Sequence, residues 1–326
     1  MDPIVSVLLP VYNCPKYVGE AIQSILDQTL ADFELLILDD GSDDETPDVV
    51  RSFKDPRIHF FTHANRGLPA TLNRGIELAK GRLIARQDQD DVSFRQRLEK
   101  QVAFFDANPR CGLVGTWAQI WRENAKTERV HAHPSENAKL KFELLLNNPF
   151  VHSSVMIRKN AVDRVGGYSI DRNRQPPEDF ELWSRIAREY EVANLPEVLH
   201  VYREVEGSMS RSGPSPFLDH LVKICAENIA WAANADPLDD QVTNIAALVH
   251  HADHHLKGRP DFSIMRDIFR RAAARVTNDE RGNFAREADN RIESLRRSTL
   301  KLRHDRGWRR HMLRAARELA RRVRNS

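Results

Sequence analysis

The stretch Arg82-Leu83-Ile84-Ala85-Arg86-Gln87-Asp88-Gln89-Asp90-Asp91, continuing into Val92-Ser93-Phe94-Arg95, decides how the chain is read. A short run with an apolar middle ends in three carboxylates within four positions, and helical spacing begins after it. In extended backbone, alternate side chains share a face, so Asp88 and Asp90 can point the same way. Two hard oxygen donors at a strand end suit Mg²⁺ or Mn²⁺, which take carboxylates together with substrate phosphates. Alone, the same tripeptide reads as a solvated acidic turn that caps the next helix, since such tripeptides are common. The choice depends on whether other segments supply a nucleotide for a metal to hold.

Outward from this stretch, Ile4-Val5-Ser6-Val7-Leu8-Leu9 is an apolar run closed by Pro10, the pattern of a strand buried on both faces. Phe33 to Leu38, Arg57 to Phe61 and Leu83 to Arg86 read as three more strands. Between and after them the spacing predicts helices over Tyr17 to Gln28, Thr46 to Phe53, Leu68 to Ala79 and Phe94 to Ala107. Pro47 in a first turn and Gly81 past a helix end support two of these boundaries. Strands alternating with helices of this length specify right-handed βαβ units and a mostly parallel sheet. The loops that follow the strands are Tyr12-Asn13, Asp39-Asp40-Gly41-Ser42, Asn65-Arg66-Gly67 and Asp88-Gln89-Asp90-Asp91. Open α/β sheets bind ligands outside the carboxyl ends of their strands, so all four polar loops converge on one crevice.

After Cys111 the pattern changes. Gly112 to Trp121 reads as a longer strand, followed by a charged loop to about His133. Leu140 to Leu146 is helical, Ser153 to Ile157 a strand, and Asn160 to Val165 a short helix stopped by Gly166-Gly167. Pro176-Pro177 introduces a helix from Glu178 through Arg188, with acids in the first turn that suit its dipole. Val192 to Tyr202 is strand-like but interrupted by Pro196. From about Pro214 the chain turns helical, over Phe217 to Ala233, Asp240 to Leu256 and Met265 to Val276. The tail from Trp308 to Val323 sets one apolar stripe against a face of arginines. The expected division is therefore 1–212, with halves 1–110 and 111–212, and a helical extension over 213–326.

Composition narrows the function classes. The 326 residues are 41% hydrophobic and 29% charged, enough for an ordinary core. A net charge of +2 argues against nucleic acid as the main partner. Cys14, Cys111 and Cys225 form neither a disulfide framework nor a zinc pattern. No basic segment followed by an apolar one stands before the first strand, and no apolar run reaches the ~20 residues of a membrane span. The expected location is cytoplasmic, with the tail as a means of peripheral attachment to an anionic membrane face.

Three stretches carry a resemblance: Asp39-Asp40-Gly41-Ser42-Asp43-Asp44, Asp88-Gln89-Asp90-Asp91 and Glu178-Asp179. Together with Val7-Leu8-Leu9-Pro10-Val11-Tyr12-Asn13 they resemble an inverting glycosyltransferase of family 2, of the GT-A fold, over about Ile4 to Ser210. The resemblance implies a Rossmann-like sheet flanked by helices, here with a helical C-terminal region. It also implies a nucleotide-diphospho-sugar donor (a UDP-sugar first), a carbohydrate or lipid-linked acceptor, and Mn²⁺ or Mg²⁺. Carried over by motif, Asp39 receives the nucleotide base, Asp88 the ribose, and Asp90, with Asp88, the metal. Asp179 is then the catalytic base, and Glu178 holds the acceptor or orients Asp179. Pro10, Tyr12, Asn13, Asp40, Gly41, Ser42 and Gln87 belong to the implied nucleotide-sugar site. Asn65, Gly67, Ala70 and Asn73 would line its other side. Arg203, after Tyr202, resembles the Tyr-Arg before Gly207-Ser208-Met209-Ser210 and would pair with the diphosphate. Many relatives have a His two positions on, where this chain has Val205. His152 is the candidate substitute, with a purely hydrogen-bonded structural role as its alternative.

The chemistry agrees with that resemblance. Carboxylates accept from an imide N–H or from ribose hydroxyls. A divalent cation neutralises a departing diphosphate, and a carboxylate takes the acceptor's proton. Processive synthases of the same family carry Gln-x-x-Arg-Trp and membrane helices, and this sequence has neither, so transfer of one sugar per encounter is expected. Two other readings stay open at this stage. A sugar-1-phosphate nucleotidyltransferase would need a Gly-rich loop with Arg and Lys after the first strand, where Pro10 to Pro15 stands instead. The other is a non-catalytic module that binds nucleotide-sugars or docks on membranes.

Overall fold

The computed structural model describes residues 2–205, 216–279 and 281–300. The chain forms two compact units, Met1–Asn228 and Ile229–Ser326. In the first, β1 (Val5–Val11), α1 (Val18–Leu26), β2 (Phe33–Asp39), α2 (Thr46–Ser52), β3 (Ile58–Thr62), α3 (Leu68–Leu78) and β4 (Leu83–Arg86) alternate. Next come β5 (Val92–Ser93), α4 (Arg97–Ala107), β6 (Cys111–Arg122), β7 (Ala125–His131), α5 (Asn137–Glu143), β8 (Met156–Arg158) and α6 (Lys159–Val165). Then α7 (Glu178–Glu189), β9 (Glu191–Glu204) and the start of α8 (Phe217–Ala233) complete the unit.

One sheet runs β3-β2-β1-β4-β8-β6-β9-β5, with β7 added on β6. β1 pairs parallel with both β2 and β4, and β2 with β3. β8 enters antiparallel to β4 and to β6, so β6 runs the same way as β1, and β9 is parallel to β6. β5 and β7 are antiparallel to β9 and β6. The sheet is thus parallel in its first half and mixed in its second. All seven residues of β1 and of β2 are buried, because helices cover both faces. Val18, Ile22 and Ile25 of α1 join Leu98, Val102 and Phe105 of α4 in one core cluster with Val7 and Leu35. On the other face α3 packs so close that a Cβ on Gly75 would meet Leu38 at 2.8 Å.

One local expectation changes in this unit. The charged segment before His133 is the hairpin strand β7, largely exposed, with Glu123 at φ 51° in the turn. Its alternation of charge is that of a solvated strand rather than of a loop. The interruption expected at Pro196 is a break in register within β9, whose pairing with β6 skips from Leu195 to Val198 at Thr116/Trp117. Pro196, which has no N–H for the ladder, falls in that irregularity.

In the second unit α9 (Asp240–Val249), α10 (Phe262–Thr277) and a run over 283–300 are helical. Asp239 and Asp261 cap α9 and α10, each accepting two backbone N–H groups at the helix start. The helix expected through Leu256 stops at Val249, where His251 takes φ 55°. Among the described residues no helix is long and apolar enough to cross a membrane. The arginine-faced tail and Gly207 to Ser210 lie outside the described residues.

Candidate active site

The first three strand-end loops are laced together by side chains. Asn13, at φ 46°, donates its amide to Asp43 (2.7 Å) and accepts from the Asp43 N–H (3.0 Å). Its backbone N–H donates to Ser42 Oγ (3.0 Å), and that of Cys14 to Thr46 Oγ1 (2.7 Å). Asp40 accepts from the Arg66 and Gly67 N–H groups at 2.7 and 2.9 Å, one per carboxylate oxygen. Asp40 therefore shapes the third loop, and Gly67, at φ 85°, opens α3 from it. Gly41 has φ 81°, and a Cβ there would meet the Asn65 N at 2.9 Å, so only glycine fits without strain. Asp39 accepts the Ser42 N–H on Oδ1 (3.0 Å), and nothing among the described residues bonds Oδ2. It lines a cleft of about 530 Å³ with Gly41, Ser42, Thr62, His63 and Ala64. Pro10 is buried in β1, paired with Leu38, while Tyr12 stands exposed at its end.

The fourth loop is more constrained than its motif suggests. Gln89, the middle residue of Asp88-Gln89-Asp90, accepts the Tyr12 N–H (2.7 Å) and donates to the Tyr12 carbonyl (3.1 Å). This locks the β4 loop to the end of β1. Arg86 is buried and donates to Asp88 at 2.5 Å. Burial raises the Asp88 carboxyl, but the charge and hydrogen bond of Arg86, together with His152 and His200, outweigh it and hold the group below its usual range. Asp91 is buried, accepting from Ser153 Oγ and from the Arg203 N–H (2.7 Å), with His200 Nε2 at 3.2 Å. Asp90 differs from both. Among the described residues no cation lies within ion-pair distance of it. Burial, then the charges of Asp91 and Asp88, push its carboxyl up to about 8.

Asp179 sits in the first turn of α7, reached through Pro176-Pro177. Its Oδ1 accepts the Phe180 N–H and its Oδ2 the Asn148 amide, both at 2.7 Å. Burial pushes it up to about 6; burial and then the Asp179 charge push Glu178 up to about 7. Asp88 is among the charges acting on both, so the two acidic motifs, 90 positions apart, share one field. Tyr168, Trp183 and His152 form an aromatic box with ring centroids 5.8–6.1 Å apart, Trp183 edge-on to both others and His152 tilted against Tyr168. His152 Nε2 is bonded to the Tyr168 hydroxyl at 3.0 Å, and burial, then Arg86, push its imidazole down to about 3. That nitrogen is engaged in structure, leaving His152 an uncharged wall of the box.

Four of the expected site residues are held by other parts of the protein in this structure. Arg203 would pair with the diphosphate, but its side chain has no exposed surface. It donates to the carbonyls of Asp90 (2.6 Å) and Glu123 (2.8 Å), to Asn124 (2.6 Å) and to Glu20 (2.6 Å). Its guanidinium lies 4.8 Å from the Tyr17 ring and 5.4 Å from that of Trp121. Gln87 is 0% exposed, donating to the Asp88 and Asp91 carbonyls and accepting from Ser93 and Arg97. Asn73 uses its whole amide to clasp the backbone of Tyr168. With Ala70 it lines a separate cleft, formed with Arg66, Arg74, Glu77 and Ile170, rather than the one that holds Asp39. Asp40, as described, is filled by backbone N–H groups. Asn65 is exposed in the third loop, its backbone N close to Gly41 of the second.

Residue-type reasoning missed Arg86, Gln89, Asn148, Ser153 and His200. Only Arg86 carried a signal, a charge at the end of an otherwise apolar strand.

Comparison with known proteins supplies the lineage. The family described as Glycosyl transferase family 2 matches residues 6–166. A putative glycosyltransferase of Bacillus subtilis, EpsE, is 33% identical over 231 residues, covering 68% of this chain and 81% of that protein. The O-antigen biosynthesis glycosyltransferase WbnJ of Escherichia coli is 34% identical over 217 residues, 64% of this chain and 83% of its own. Among solved structures, S. aureus TarS 1-349 in complex with UDP-GlcNAc superposes with a TM-score of 0.59 at 19% identity, over 92% of each chain. It shares the fold. On the matched relatives and the fold together, this chain belongs to glycosyl transferase family 2 and is a glycosyltransferase.

Proposed function

We propose that the enzyme transfers one sugar, with inversion, from a nucleotide-diphospho-sugar to a hydroxyl of a carbohydrate or lipid-linked acceptor, in the assembly of a cell-surface polysaccharide. The O-antigen relative supports the last part. The observation that carries the reading is that Asp88 lies close enough for its charge to act on Asp90, Glu178 and Asp179, with the buried Arg86 acting on Asp88, Asp90 and Glu178. In this reading Asp39 Oδ2 accepts from the nucleotide base at the cleft between the first loops. The face of Asp88 not held by Arg86 accepts from ribose. Asp179, fixed by Asn148, takes the proton of the attacking hydroxyl.

The residues fit a divalent cation. Asp90 offers a hard oxygen donor with no ion-pair partner among the described residues, and burial, then the charges of Asp91 and Asp88, raise its carboxyl. Asp90 would hold Mn²⁺ or Mg²⁺, with Asp88 beside it. Such an ion supplies Lewis-acid neutralisation of the charge that develops on the leaving diphosphate.

The test is release of nucleoside diphosphate from UDP-, GDP-, CDP- and dTDP-sugars, with and without Mn²⁺. We expect one nucleotide class to be turned over, UDP first, with at least a tenfold fall after chelation. Asp90→Asn should abolish the response to Mn²⁺. No turnover of any donor would overturn the reading. A peripheral location at an anionic membrane face is proposed for the tail, Trp308 to Ser326. Deleting it should abolish co-sedimentation with anionic vesicles, and unchanged binding would refute the attachment.

A further inference from the structure

The second half of the sheet carries a feature the transfer chemistry has not used. His131, at the end of β7, and His133 stack with centroids 5.6 Å apart and planes 11° off parallel, and Tyr202 of β9 stands edge-on to His131 at 5.3 Å. Both imidazoles are partly exposed.

Their placement follows from alternation. Side chains along a strand take opposite faces in turn. Arg203 points toward α1, where it meets Tyr17 and Glu20. Tyr202 therefore points to the other face, as does His200, which bonds Ser153 at 2.8 Å. β6 and β9 run with β1, so Tyr202 lies at the carboxyl edge of the sheet, next to the arginine that holds the Asp90 carbonyl. At the other end of the stack, Trp117 Nε1 donates to the His133 carbonyl at 2.8 Å. The Asn194 amide donates to the carbonyls of Pro134 (2.9 Å) and Pro149 (3.0 Å), and Pro149 follows the Asn148 that fixes Asp179. The rings are thus bracketed by the supports of the two acidic groups.

We propose that His131 and His133, backed by Tyr202, form a stacking platform for a sugar ring of the acceptor. The proposal rests on the transferase reading above and names the acceptor side of that same site. A pyranose presents a face of C–H groups, and an aromatic ring offers a flat, partly dehydrated surface with a negative face toward them. Burial lowers both histidines, with Arg129 adding to the effect on His131 and His131 to that on His133, so the rings are uncharged near neutral pH. Neutral imidazoles suit a neutral sugar. A few aromatic walls with sparse polar groups are the usual make-up of a small-ligand site.

The experiment is saturation-transfer NMR on the full chain with methyl glycosides of glucose, galactose, mannose and N-acetylglucosamine. Donor hydrolysis without acceptor is measured in parallel. We expect at least one glycoside to receive saturation on its C–H face. That signal should fall at least fivefold in the His131→Ala/His133→Ala variant and be retained in His131→Phe/His133→Phe, with donor hydrolysis unchanged in both. Retention in the Phe variant separates stacking from imidazole hydrogen bonding, and normal hydrolysis shows that the fold is intact. No glycoside bound by a wild type that hydrolyses donor, or binding that survives in the alanine variant, overturns the platform alone. A wild type that turns over no donor overturns both the platform and the transferase reading.

Discussion

Replacing Asp179 by Asn should lower kcat about 10³-fold while donor binding is kept, the scale of loss for a positioned general base. The carboxylate is held by the Phe180 N–H and the Asn148 amide, so Asn keeps the shape and removes the proton acceptor. Its pH signature follows from the same geometry. With the folded-state value raised to about 6, turnover at saturating metal should climb as pH rises through 6 and level off above it. Stability runs the opposite way. A carboxyl raised on folding binds its proton more tightly in the native state, so the native state loses ground as pH rises from about 4 to about 6. The wild type should therefore lose at most about 3 kcal/mol relative to the Asn variant across that window, and stay level above it. Steady-state rates and thermal melts at pH 4.5, 6 and 8 check both statements. Undiminished kcat in the variant would remove Asp179 from the chemistry.

Arg203→Met should cost about 3–5 kcal/mol of stability, on the order of 10 °C in melting temperature. Methionine fills much of the slot between Tyr17 and Trp121 but donates nothing. The carbonyls of Asp90 and Glu123 then lose their partner, and each buried acceptor left unpaired costs about 1–3 kcal/mol. Glu20 is about half exposed and contributes less. Arg203→Lys should fall between, since one ammonium cannot reach four acceptors on different elements. The informative readout is the donor KM at low temperature, where all variants are folded. We expect it within threefold of wild type for Arg203→Lys. A tenfold rise with an unchanged melting temperature would return Arg203 to the diphosphate.

The sequence carries the elements and their order further than it carries the partners of single side chains. The alternation of apolar runs and helical spacing through Ala107 is local, so the parallel half of the sheet was legible. So was the convergence of four loops at its carboxyl edge, because topology decides that. What a motif letter does not carry is its partner. Asp91 and Asp90 are neighbours, yet Asp91 is drawn inward by Ser153, His200 and Arg203, which lie 62 to 112 positions away. Gln87 and Asn73 have hydrogen-bonding capacity suited to a ligand and use it on backbone instead. β7 was missed because an edge strand with both faces wet has no apolar period to read.

The Gln89 clamp bears on redesign of donor choice. Tyr12 is paired through its own backbone to the loop after β4, and Asn13 is paired to the loop after β2. An engineer who grafts a foreign β1 loop to recruit another nucleotide would break both connections at once. The transplantable module is all three loops together, a discontinuous cassette whose seams fall within buried strands.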